Sequence, residues 1–172
     1  MSGLSFERLR EVLDYDPETG RFTWLVDRPQ RVKAGDLAGY IDKSRGDGYY
    51  RIGIDRQWYQ ASRLAFLWMT GEWPQGEVDH KNANTKDDSW SNLRDATRPQ
   101  NQHNRGVRKD SSTGFKGVRF QRSAHGNRCG YYVAQIRVNG KRVYIGSFKT
   151  AEEAAAAYAT AAIEHHGAFA RS

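Results

Sequence analysis

The chain has 172 residues, 38% of them apolar and 12% aromatic, and a formal charge of +7. Its aromatic content excludes a disordered chain, no run approaches the roughly 20 apolar residues of a membrane span, and the first residues lack the basic-then-apolar order of a signal peptide, so an intracellular protein is expected. Cys129 is the only cysteine, which rules out an intramolecular disulfide and a Cys-x-x-Cys zinc knuckle and leaves oxygen and imidazole groups for any metal.

In chain order, Ser5 is placed to cap a short helix whose apolar residues Phe6, Leu9, Val12 and Leu13 recur at helical spacing, and Asp16-Pro17-Glu18-Thr19-Gly20 breaks it. Residues 21–25 read as a strand. Tyr50, Ile52 and Ile54 alternate with Tyr49, Arg51 and Gly53, and Asp55-Arg56 turns that strand into residues 57–60 as a hairpin. Leu64, Phe66, Leu67 and Trp68 lie in a helical run closed by Thr70-Gly71 and Pro74-Gln75-Gly76.

Residues 77–105 hold most of the polar chemistry and few apolar anchors: Asp79-His80, Asn82, Asn84, Asn92-Leu93-Arg94, Asn101, His103 and Asn104. Such a stretch is either organised by a ligand or metal, or is a plain surface loop. Residues 106–114 have the small, polar composition of a linker. Beyond them come strands at 117–121, 131–138 and 142–148, the last two joined by Asn139-Gly140, a strong signal for a two-residue hairpin turn. A helix over 151–166 follows, with Thr150 and Glu153 spaced as a capping box and Gly167 as its stop.

Charge is distributed unevenly along this order. From Arg105 to Lys149 eleven Lys and Arg stand against one acid, Asp110, an excess larger than that of the whole chain. This favours a polyanionic partner for that part, although basic proteins with no such partner are common.

Hydrolysis of a phosphodiester needs a base to activate water and a divalent cation to stabilise developing charge. Asp79 suits the cation and His80 the base, although an isolated Asp-His pair is more often an ordinary surface feature. The spacing is what distinguishes this one. The Gly-Tyr-Tyr-Arg-Ile strand, the Arg63-Leu64 helix, Gly71-x-x-Pro74, Val78-Asp79-His80, Ser91-Asn92-Leu93-Arg94 and Gln100-Asn101-x-x-Asn104 together resemble the phage and intron-homing branch of the HNH endonucleases. The resemblance implies a ββα-metal core over about 50–105 around one divalent ion, Mg²⁺ or Mn²⁺. Asp79 and Asn101 would be its ligands, His80 the general base, and Asn92 the residue that hydrogen-bonds within the loop. Asn is an acceptable ligand for a hard cation, which argues against zinc, and His103 competes for the position of Asn101. Ser62 departs from the family, which commonly has His before the Arg-Leu pair.

Residues 114–170 resemble the DNA-binding domain of plant ethylene-response factors. The match is carried by Lys116-Gly117-Val118-Arg119, Tyr132 to Arg137, Arg142 to Gly146, Phe148-x-Thr150 and the Ala-Glu-Glu-Ala-Ala-x-Ala-Tyr helix. It implies a sheet lying in the DNA major groove with the helix behind it. The pattern alone places Arg119, Gln121, Gln135, Arg137, Arg142 and Tyr144 at alternating positions on three strands, able to share one face that holds phosphates and reads base edges; a solvated charged face is the alternative. Gln121 and Tyr144 stand where the plant domains usually carry Arg and Trp.

The expected architecture is α+β. A nuclease region (1–105), a linker (106–114) and a small three-stranded antiparallel sheet packed on one helix (115–172) make a metal-dependent endonuclease acting on double-stranded DNA, with no membrane partner. A phage or mobile-element homing-type enzyme is the leading reading, and a catalytically inactive DNA-binding regulator the alternative.

Overall fold

The Ser5 hydroxyl caps α1 (Phe6–Val12) by accepting from the Arg8 amide at 3.1 Å in the computed structural model, which describes residues 3–29, 31–41, 48–108, 110–122 and 130–171. Lys109, Arg128 and Cys129, counted above, lie outside the described residues. The helix ends earlier than its spacing predicts. Leu13 opens β1 (Leu13–Asp16), where Leu13 and Tyr15 turn inward and Asp14 and Asp16 outward, and this period of two pairs it with β2 (Arg21–Trp24). Packing against that partner overrides the helical periodicity.

β3 (Tyr40–Ile41), β4 (Tyr50–Ile54) and β5 (Gln57–Gln60) form an antiparallel sheet with β4 in the middle. Asp55 and Arg56 join the last two with φ of 47° and 65°, both in the region a tight hairpin turn demands. The helix α2 (Ala61–Thr70) buries Ser62, Leu64 and Leu67, and Gly71 ends it in the left-handed conformation. Leu9, Leu13, Phe22, Ile52, Ile54 and Leu64 lie at the centre of one apolar core. Against it pack β6 (Glu77–His80) and β7 (Leu93–Ala96), which contribute Val78 and Leu93.

The chain divides into two compact units, Met1–Arg98 and Pro99–Ser172, so α3 (Arg98–His103) opens at their junction. In the second unit β8 (Val118–Arg122), β9 (Gly130–Val138) and β10 (Lys141–Phe148) form an antiparallel sheet with β9 in the centre. Asn139 and Gly140 turn β9 into β10 with φ of 49° and 79°. Then α4 (Ala151–His166) starts on a complete capping box: the Thr150 hydroxyl accepts from the Glu153 amide at 3.2 Å, and the Glu153 carboxylate accepts from the Thr150 amide at 3.3 Å. Its alanines allow close approach, and Val118, Ala134 and Ile136 of the sheet meet Ala154, Tyr158 and Ala162 in a second core. A Cβ at Gly117 would lie 2.2 Å from the Tyr158 ring, so only glycine admits that packing. The class is α+β, and no helix among the described residues is long and apolar enough to cross a membrane.

Candidate functional site

The β6–β7 pairing sets Asp79 opposite Arg94 and His80 opposite Leu93. Cross-strand partners project to the same face. Arg94 therefore reaches Asp79, and its Nε and Nη2 donate to one carboxylate oxygen at 2.7 and 2.6 Å. Asp79 is only 3% exposed, and a carboxylate so removed from water requires a counter-charge of this kind.

His80 is equally buried, and its Nε2 lies 2.9 Å from Oδ1 of Asp88, itself 3% exposed. Burial pushes the Asp88 carboxyl above the usual carboxylate range, while the hydrogen bond and charge of His80 draw it back. The Tyr49 ring stands 5.8 Å from the imidazole.

Asn92 ties together the loop that carries Asp88 back to the hairpin. Its backbone carbonyl accepts from the Lys81 amide at 2.8 Å and its side-chain oxygen from the Asn82 amide at 3.0 Å, while its side-chain nitrogen donates to the Asp87 carbonyl at 2.7 Å. The Asp87 carboxylate accepts from the Ser89 hydroxyl and the Asn82 amide group, each at 2.7 Å. The Ser89 bond is the main reason its pKa lies low. The loop also rests on the β1–β2 hairpin. The Tyr15 hydroxyl donates to the Asp88 carbonyl at 2.7 Å, and the Trp90 amide donates to the Pro17 carbonyl at 2.9 Å. A Cβ at Gly20 would fall 2.3 Å from the Asp88 carbonyl carbon.

Asp79, His80 and Asn92 are thus gathered on one hairpin and its loop, whereas Asn101 lies on α3 and belongs to the second unit. His103 is engaged by stacking on His166, with ring centroids 3.6 Å apart, and burial lowers the pKa of both imidazoles. Ser62 is buried within α2, and its neighbour Arg63 donates to the Gly76 carbonyl at 3.0 Å, fixing the approach to β6. Sequence reasoning gave no role to Arg94 or Asp88. The hairpin register offers a signal for Arg94, which stands directly across from Asp79; no local pattern marks Asp88 over Asp87.

The Asp79 carboxylate and the Asn101 side-chain carbonyl are hard oxygen donors, the chemistry that Mg²⁺ and Mn²⁺ take. Arg94 donates to one Asp79 oxygen, and by residue type Asp79 on the first unit and Asn101 on the second are each suited to a hard cation. Among the described residues there is no group of three or more His, Cys, Asp or Glu that could hold a metal.

In the second unit the register pairs Gln135 with Tyr144 and Arg137 with Arg142, and sets Arg119 beside Val133 and Gln121 beside Tyr131. All six residues named from the sequence therefore lie on the sheet face opposite α4. Arg119, Arg137, Arg142 and Tyr144 are exposed there, and a bulge after Tyr144 restores the inward direction of Gly146 and Phe148. A cavity of about 590 Å³ at this sheet is lined by Arg108, Lys116, Arg119, Gln135, Arg137 and Arg142 among others, with no acidic residue in its lining.

Residues 59–103, about a quarter of the chain, match the model of the HNH endonuclease family. No curated protein matches the chain. Among solved structures, one described as "DNA binding and cleavage by the HNH homing endonuclease I-HmuI" aligns over 96% of this chain and 91% of that one, with 19% identity and a TM-score of 0.44. At that TM-score the likeness carries no further argument.

Proposed function

We propose that the protein is a divalent-cation-dependent endonuclease that hydrolyses phosphodiester bonds in double-stranded DNA at sites selected by its second unit, in the manner of a phage or mobile-element homing enzyme within a host cell. The observation that carries this reading is the buried His80–Asp88 hydrogen bond beside Asp79, inside the segment of HNH type. His80 takes a proton from water, whose oxygen then attacks phosphorus. Asn92 holds the loop ends so that His80 keeps its place. Asp79 and Asn101 would hold Mg²⁺ or Mn²⁺, which stabilises charge on the phosphate and leaving oxygen when bound. The functional division is a nuclease region through residue 105, a linker over 106–114 and a DNA-binding domain from 115. It differs from the compact division chiefly by α3, which carries Asn101. On the sheet, Arg119, Gln121, Gln135, Arg137, Arg142 and Tyr144 contact phosphates and base edges.

The near-complete burial of Asp79 and His80 favours a second reading, a DNA-binding regulator without cleavage. Incubation of supercoiled and genomic DNA with the full chain, with and without Mg²⁺ or Mn²⁺, separates the two. The nuclease reading expects cation-dependent new strand ends that fall by on the order of 10²- to 10⁴-fold in His80→Ala, with DNA affinity retained. Binding with no cut in any cation supports the regulator.

A further inference from the structure

We propose that Asp88 is a positioning residue for His80, selecting the imidazole tautomer protonated at Nε2, and that the β1–β2 hairpin is the brace that holds Asp88 in place; the functional part of this rests on the nuclease reading. A neutral imidazole carries one proton and one lone pair, on different nitrogens, and the partner of one nitrogen decides the identity of the other. Asp88 Oδ1 stands 2.9 Å from Nε2, and a carboxylate in its ionised form only accepts, so in the proposed pairing Nε2 is the donor. The lone pair then belongs to Nδ1. A water proton passes to Nδ1 as the water oxygen forms its bond to phosphorus and the bond to the leaving oxygen breaks. The imidazolium so formed keeps its Nε2–H on Asp88, whose negative charge stabilises it.

Asp88 reaches this position through its backbone as well as its side chain. Tyr15 donates to its carbonyl from β1, Trp90 next along the loop donates to Pro17 in the β1–β2 turn, and Gly20 packs against its carbonyl carbon with no room for a side chain. Three contacts from one hairpin thus converge on the residues that orient the imidazole. A carboxylate placed only for stability is poorly explained here, because burial works against its charge.

The test begins with the full-length protein labelled with ¹⁵N-histidine, without DNA or metal, at a pH where the imidazole is neutral, the His80 signals being assigned by their loss in His80→Gln. Protonation at Nε2 is expected, and protonation at Nδ1 overturns the proposal whether or not the protein cleaves DNA. The second arm measures single-turnover cleavage and DNA binding of Asp88→Asn and Asp88→Glu, after thermal melts establish that both fold. Asp88→Asn should cleave on the order of 10²-fold slower or worse while its DNA Kd stays within about twofold, and Asp88→Glu should recover part of the rate. A rate for Asp88→Asn within threefold of the parent, or equal losses in Asn and Glu variants, overturns the positioning role. Absence of cleavage in the parent with every cation overturns the nuclease reading alone, and the tautomer measurement still decides which proton His80 carries.

Discussion

Arg94 and Asp79 form a buried pairing in the first unit, two bonds from one guanidinium to one carboxylate oxygen. Breaking a buried pair from one side leaves the other charge poorly solvated, at a cost of about 3 kcal/mol. Arg94→Ala should lower the stability in denaturant by that order, and Arg94→Lys should recover only part of it because an ammonium lacks the planar fork. A loss under about 1 kcal/mol would mean that the pair is solvated in solution. Asp79, His80 and Asn92 could be singled out in the sequence by residue type and motif spacing, and the structure gathers them on one hairpin and its loop. Asp88 could not. Two adjacent acids look alike in the sequence, and the Asp88 backbone is held by Tyr15, 73 residues away.

Among elements, the β1–β2 hairpin connects the N-terminal region to the site. Tyr15→Phe removes one buried hydrogen bond, a loss of about 1 kcal/mol, and should slow cleavage by loosening Asp88. Gly20→Ala adds a Cβ where φ is +73° and the Asp88 backbone is 2.3 Å away, so it should cost more than about 1 kcal/mol and impair cleavage further. Urea melts and cleavage rates of the two variants check this; full activity in both would separate the hairpin from the site. Turns and caps were the most legible elements, since Asp55-Arg56, Asn139-Gly140 and Thr150-x-x-Glu153 each depend on short-range chemistry alone. The end of α1 was not, because Leu13 satisfies a helical and a strand period equally and only its partner Trp24 decides.

The second unit carries its own titration signature. Lys116 donates to the carbonyls of His103 and Arg171, and burial lowers its pKa from 10.5 to about 8. Between those values the unfolded chain binds more protons at this position than the folded one, so its contribution to stability rises with pH from about 8 to 10.5. The stability difference between the parent and Lys116→Met, followed by denaturant melts across that range, should therefore increase with pH. A flat or falling difference would show that Lys116 keeps its proton in the fold.

At the scale of the molecule, the proposed function would divide cutting and holding between the two compact units, with the excess positive charge on the second. If the exposed sheet face is the DNA anchor, Arg119→Ala, Arg137→Ala and Arg142→Ala in the full chain should each either lower the salt slope of binding by about one, where the arginine meets phosphate, or cost about 1–3 kcal/mol at one base pair, where it reads a base. Unchanged affinity and salt slope in the triple variant would assign that face to bulk solvent. The presence of a second sheet-and-helix body was legible from composition shift, hairpin signal and capping box. Its starting point was less so. The contacts that draw α3 into the second unit, the stacking of His103 on His166 among them, join residues 63 positions apart, and no local pattern reports them.

The bond from Tyr15 to Asp88 also has a consequence in time. It closes a loop of 73 residues, and contacts of such separation form late because the chain between them must first lose its conformational freedom. The β6–β7 hairpin, by contrast, can zip locally once residues 77–96 exist. A nascent or refolding chain should therefore pass through an interval in which the strands carrying Asp79 and His80 are paired but Asp88 is not yet locked against the imidazole. During that interval the protein would hold the residues of the candidate site without the His80–Asp88 contact, and activity regained after refolding should lag behind the return of secondary structure.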